Sequence, residues 1–313
     1  MTRYIAKRLL HLIPILLGIT LLTFGLMYLS PSDPAERRLV AQGVLVSEEV
    51  LEATRIKMGL NRPFIIQYGT WMRNMLKGDM GTSYMTGRPV ITELTVHMPY
   101  TIILTLSSII LTLAFSIPLG ILAAIKHNRW VDYIIRFFTF IGTSIPSFFL
   151  SLLLIFVFAL KMKLLPVLGK NDFRSLILPT ITLSTSMASK YIRQVRAAIL
   201  DELEKDYVMG ARSRGIKENA ILFKNVLKNA MLTIITLIGL SIGSLMGGTA
   251  IVESIFVWPG LGKLVVDAIA QRDYPLIQGY VIWMAIIFVI VNLLTDISYR
   301  ILDPRVKLSK EVA

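Results

Sequence analysis

Six long stretches of this 313-residue chain contain no Asp, Glu, Lys or Arg, and their lengths constrain the fold most. They are Leu9–Ser32, Leu94–Ile125, Phe137–Leu160, Ser175–Ser189, Asn229–Val252 and Tyr274–Thr295, of 24, 32, 24, 15, 24 and 22 residues. A helix crossing a bilayer needs about 20 apolar residues, with about 17 as a practical minimum. Five runs clear that bar and the fourth falls short. Only 17% of the residues are charged, against roughly 25% in an average soluble domain. The chain is therefore expected to be an all-α integral membrane protein.

The fourth run decides where the C-terminus lies. With six spans and the N-terminus in the cytosol, the inner segments carry 19 Lys and Arg. The outer segments carry 14, eight of them in one 71-residue stretch, and long outer segments count little in the positive-inside rule. The comparison is then 19 against six, which favours six transmembrane helices with both termini cytosolic. Lys190 and Arg193 can snorkel from a lengthened fourth helix. The first 30 residues imitate a secretory signal, but the apolar run is too long and no small-residue cleavage site follows. It is expected to remain as the first span.

Other totals exclude chemistry. With no Cys there is no disulfide, thiolate metal site or cysteine nucleophile. His11, His97 and His127 form no paired-ligand spacing. The net charge of +13 is explained by membrane orientation, so no nucleic-acid partner is expected.

The organisation expected is 1–29 as cytosolic N-terminus and first span, 30–99 as a small external cap, 100–303 as the transmembrane domain, and 304–313 as a cytosolic tail. In the cap, Asp33-Pro34 signals a turn and Ser47-Glu48-Glu49 a helix start. Tyr68, Trp71, Met72 and Met75 share one face of a short helix over Gln67–Leu76. Six of the 14 Met fall in the cap, where filling irregular apolar gaps outweighs soft-metal ligation.

Within the spans, Gly239, Gly243 and Gly247 form a small-residue stripe flanked by Ser244 and Gly248, where another backbone can approach closely. Close packing alone explains such a stripe; lining a moving pathway is the sharper alternative. Gly142, Ser144 and Pro146 sit at a proline bend in span 3, and Pro118 and Pro179 are expected to bend spans 2 and 4. Asp296 lies near the end of span 6, where an i,i+4 pair with Arg300 is a sufficient account.

The segment 190–228 is the longest cytosolic piece. Asp206 can cap a helix over Tyr207–Arg214, with Arg212 and Arg214 in its last turn and Gly215 as a left-handed stop. Eight residues give about 12 Å of helix, too short to stand alone in water, so it must dock. Tyr207 and Ala211 make one apolar edge. A second stretch presents Ile216, Ala220, Phe223 and Leu227 on a face. Contact with anionic lipid is the bland alternative.

The run Asp206-Tyr207-Val208-Met209-Gly210-Ala211-Arg212-Ser213-Arg214-Gly215, followed by Leu227, resembles the coupling loop of ABC-importer permeases. Ala211, Gly215 and Leu227 match the general motif. Met209 and Gly210 depart from it as in the dipeptide/oligopeptide/nickel branch. The resemblance extends through Ser144-Ile145-Pro146-Ser147-Phe148, Trp258-Pro259-Gly260-Leu261-Gly262, Arg272-Asp273-Tyr274-Pro275 and Leu302-Asp303-Pro304-Arg305. Ala53–Pro63 and Gln67–Trp71 look closest to the nickel-import branch.

The resemblance implies a non-catalytic, multi-pass permease subunit of a prokaryotic plasma (inner) membrane, the first of a pair. It would carry a nickel(II) complex or a di-/oligopeptide. Implied partners are a second homologous permease, two cytosolic ABC ATPase subunits holding ATP and Mg, an extracytoplasmic solute-binding protein and the bilayer. This chain would bind no cofactor and no metal. Asp206, Tyr207, Gly210, Ala211, Arg212, Arg214, Gly215 and Leu227 would couple to the ATPase, while Trp71, Tyr84 and Trp258 would meet the binding protein. An ion-coupled secondary transporter would be expected to carry a mid-span carboxylate, and none appears. A membrane-embedded enzyme needs a clustered nucleophile or acid–base pair, also not visible. Gly262-Lys263 lacks the first glycine and the Ser/Thr of a phosphate loop.

Overall fold

The computed structural model describes residues 2–31, 33–41, 43, 46–167 and 172–302. The chain is helical in the order α1 (Thr2–Tyr28), α2 (Pro34–Ala41), α3 (Glu48–Met58), α4 (Phe64–Leu76), α5 (Val90–Ile125), α6 (Trp130–Ser144) and α7 (Ser147–Leu154). There follow α8 (Phe173–Leu203), α9 (Asp206–Ser213), α10 (Glu218–Ala220), α11 (Leu227–Gly248), α12 (Ala250–Ile255), α13 (Leu261–Gln271) and α14 (Tyr274–Leu302). Two π-helical turns interrupt the order, Ile155–Lys161 after α7 and Ile221–Val226 after α10.

Among the described residues, α5 and Tyr274–Thr295 of α14 are each long and apolar enough to cross a membrane. The proline bend of span 3 is far sharper than a kink. Pro146 ends α6, caps α7, and the two axes differ by 98°. By contrast, α5 runs unbroken through Pro118 and α8 through Pro179. The short fourth run lies in α8, whose 31 residues extend 14 beyond Ser189 and measure about 46 Å. α1 and α11 are helical where spans 1 and 5 are expected. The Asp296–Arg300 pair lies outside the described side chains.

The residues divide into two compact units. One comprises 1–101 with 259–289, the other 102–258 with 290–313. In the first, the expected cap is folded. Ser47 caps α3 by accepting from the Val50 N–H, and Gly59 ends it with φ of +70°. Asp33 accepts from the Ala35 N–H at the start of α2 and pairs with Arg55 of α3 at 2.6 Å. The predicted face of α4 packs on α1, where Tyr68 and Trp71 lie 5.5 and 5.7 Å from the Phe24 ring. The Thr20 and Tyr68 hydroxyls are 2.9 Å apart. Buried Asp273 accepts from the Ser83 hydroxyl and the Met85 N–H, so Arg272-Asp273-Tyr274-Pro275 ties the 83–85 loop to the start of α14.

The second unit has an aliphatic core that includes Val195, Ile199, Val208, Ala211, Ile221, Val226 and Ile234. Glycines set its helix contacts. A Cβ on Gly142 of α6 would lie 2.2 Å from Ser189 Oγ of α8, and one on Gly239 of α11 would lie 2.7 Å from Thr295 Cβ of α14. Both distances are too short for any side chain, so these backbones approach where only glycine fits.

Candidate coupling surface

α9 differs from its expected form in two ways. Asp206 is the first helical residue, not the cap. The cap position is Lys205, with no side-chain hydrogen bond, so Asp206 acts through the N-terminal dipole. Arg214 lies just past the helix end. Gly215 does make the left-handed stop, at φ of +73°, with its N–H on the Arg212 carbonyl and the Ile216 N–H on the Ala211 carbonyl. That double bond pattern closes the helix as a glycine C-terminus usually does.

The apolar edge faces inward. Val208 and Ala211 are fully buried in the unit's aliphatic core, with Tyr207 half-buried beside them. Outward stand Asp206, Met209, Gly210, Arg212 and Ser213. Met209 is 64% exposed, and no atom lies within 4 Å of a Cβ built on Gly210. An eight-residue helix offers two apolar pairs one position apart, and the local pattern does not choose between them. The second face is also displaced. The π turn over Ile221–Val226 changes the register, so Ile221, Leu222 and Val226 are buried while Ile216 and Phe223 are exposed. Leu227, the first residue of α11, is half-buried.

Polar contacts fix the loop at two further points. Arg212 donates to Glu218 from Nε and Nη2, at 2.7 and 3.2 Å. The pair raises the arginine pKa and holds the Glu218 carboxyl below its ordinary value. Glu202, at the end of α8, accepts from the Tyr207 hydroxyl at 2.8 Å and from Asn229 at 3.4 Å, and pairs with Lys205. Burial pushes its carboxyl up, but these three partners outweigh burial and leave it below the ordinary value. Glu202 and Asn229 carry no local signal of this role, being 27 residues apart.

The remaining candidates fall into groups. Gly142 packs on Ser189 and Gly239 on Thr295, as above. Ser144 is exposed and donates to the Phe140 carbonyl. Gly243 is buried in α11. Ser244, Gly247 and Gly248 are in the same helix, and their surroundings lie outside the described side chains. Trp71 and Tyr84 line one cavity of about 480 Å³ in the first unit, with Tyr28, Arg55 and Gln278. Burial, then the Asp273 charge, raises the Tyr84 phenol pKa well above its ordinary value. Trp258 is only 4% exposed, with its N–H on the Glu253 carbonyl, so this chain does not offer it as a contact surface.

α9 is thus a short helix held from within, with a polar outer face and one projecting methionine. The chain belongs to the binding-protein-dependent transport system inner membrane component family, whose models match residues 116–308 and, for its N-terminal part, 1–107. It is a non-catalytic, multi-pass inner-membrane permease subunit of the ABC-importer class. It is 42% identical to the oligopeptide transport system permease protein AppB of Bacillus subtilis, over 98% of this chain and all of that one. It is 38% identical to the glutathione transport system permease protein GsiC of Salmonella choleraesuis, over 98% and 99% of the two chains. Its fold is shared with the MetNI methionine ABC transporter in an inward-facing conformation. The TM-score is 0.54 at 16% identity, covering 68% of this chain and 97% of that one.

Proposed function

We propose that this chain forms one half of the translocation pathway of an importer for short peptides, with a second homologous permease forming the other half. The substrate class is supported by the names of its relatives, which carry oligopeptides and glutathione. The nickel-branch look of Ala53–Pro63 has no such support, and an uptake assay comparing short peptides with nickel chelates separates the two. Six spans with both ends cytosolic remain the topology favoured by the charge distribution.

The observation that carries the coupling role is α9, anchored by Val208 and Ala211 while Met209 and Gly210 stand free. A cytosolic ATPase would receive this outer face. ATP and Mg would be held by two such subunits, whose closure would draw α9 of each permease inward and switch the pathway. The cap would meet an extracytoplasmic binding protein, with Trp71 and Tyr84 at its cavity rim rather than Trp258. Met209→Glu tests the coupling role without touching the core. Thermal stability should stay within about 0.5 kcal/mol of wild type, as for an exposed site, while co-purified ATPase and peptide uptake are lost. Full ATPase recovery and full uptake would defeat the assignment.

A further inference from the structure

The second unit holds a cationic cavity that the coupling and pathway roles leave unused. It has a volume of about 570 Å³ and is lined by residues that include His127, Tyr133, Arg136, Phe137, Phe140 and Arg193. Arg196 also borders it, but its guanidinium is occupied by both carboxylate oxygens of buried Asp132, each at 2.7 Å. Arg193 donates to the Thr143 hydroxyl at 3.0 Å, and Arg136 lies 5.7 Å from the centre of the Tyr133 ring. Neither contact neutralises a charge. The carboxylate near Arg136, Asp132, is already bound to Arg196, so among the described residues the cavity keeps a net positive charge.

The wall beside it is aromatic and graded. Along α6, Trp130 and Tyr133 are exposed near the N-terminal end, and Phe137, Phe138 and Phe140 are exposed further on. Trp and Tyr favour the headgroup level of a bilayer, while Phe suits the acyl region beyond it. This order places Arg136 and Arg193 at headgroup depth, with an apolar surface running from the cavity towards the membrane interior. A soluble anion would use the arginines and leave that surface uncovered. A phospholipid uses both.

We propose that the cavity between α6 and α8 is a binding site for the phosphate of an anionic phospholipid, whose acyl chains lie along Phe137 and Phe140. Basic pockets between membrane helices on the cytosolic side are suited to such headgroups. Only the choice of the cytosolic leaflet rests on the topology proposed above, and that choice has its own readout. A cysteine replacing Asn128 in this Cys-free chain should label from the cytosol, whatever the lipid result.

The direct test is native mass spectrometry of the purified full chain titrated with phosphatidylglycerol or phosphatidylcholine. Wild type should retain phosphatidylglycerol preferentially. Each arginine at a membrane surface contributes roughly fivefold, so Arg136→Gln with Arg193→Gln should erase about 25-fold of preference. Arg136→Lys with Arg193→Lys should keep most of it, which separates lost charge from misfolding. Lys57→Gln with Lys77→Gln, in the cap, should change nothing. Equal retention of both lipids by wild type overturns the proposal, as does an unchanged preference in the double Gln variant. Binding of glycerol phosphate or inorganic phosphate as tight as that of the lipid would make the ligand a free phosphate and also overturn it. So would efficient cross-linking of Phe137→Cys to the second permease in the assembled complex, because a protein would then cover the wall.

Discussion

The segment between α1 and α5 and the loop that carries α9 are both built from short helices, yet they are stabilised in different ways. α3 has a serine cap, a left-handed glycine stop and an ion pair to Asp33, and α4 lays the rings of Phe64, Tyr68 and Trp71 against α1. α9 has no side-chain cap and buries two small aliphatic side chains. The cap is thus secured by many local contacts, so losing one leaves the others. α9 hangs on a few, so its position is set by the core beneath it.

Placing a charge under α9 should have the largest effect. Val208→Asp buries a carboxylate in an aliphatic core and should cost about 3 kcal/mol or more, releasing the loop to proteolysis and abolishing ATPase co-purification. Ala211→Glu should behave alike, so its failure would report the anchor, not the contact, and only Met209→Glu separates them. In the cap, Trp71→Ala removes one member of a half-buried ring cluster. A loss of about 2 kcal/mol is expected, read as lowered protease resistance of the cap with membrane insertion unchanged. An equal response of the coupling loop would erase the contrast between the regions.

Gly215→Ala should cost about 1 kcal/mol, since φ of +73° is disfavoured for any residue with a Cβ. Thermal melting and uptake together would show whether the stop matters beyond stability. The smallest effect is a pH dependence. Glu202 has a folded pKa below its ordinary value, so its stabilising contribution is complete above the ordinary carboxylate range. It is lost as the pH falls through the folded value. The protection of the 205–216 amides against hydrogen exchange, taken relative to the intrinsic rate at each pH, should therefore fall under acid in wild type, and Glu202→Gln should flatten that dependence. A dependence unchanged in the variant would place the titrating group elsewhere.

What was legible in the sequence was what short range dictates. Run lengths gave the membrane class, Ser47 and Gly215 act as the cap and stop they resemble, and the α4 face is the one its spacing marks. Asp206 was misplaced by one position because an acid serves equally well as cap or in the first turn. The 216–227 face was misplaced because a π turn has no distinctive composition.

Tertiary structure alone decided the rest. It chose Val208 and Ala211 as the buried pair, joined Glu202 to Asn229, set Arg136 and Arg193 at one cavity, and hid Trp258. Sequence by itself determines membership of the membrane and the local geometry of each helix, because charge-free length, caps and glycine stops act over a few residues. Which face of a helix meets which neighbour depends on side chains distant in the chain competing for the same space. That competition is resolved only when the helices pack.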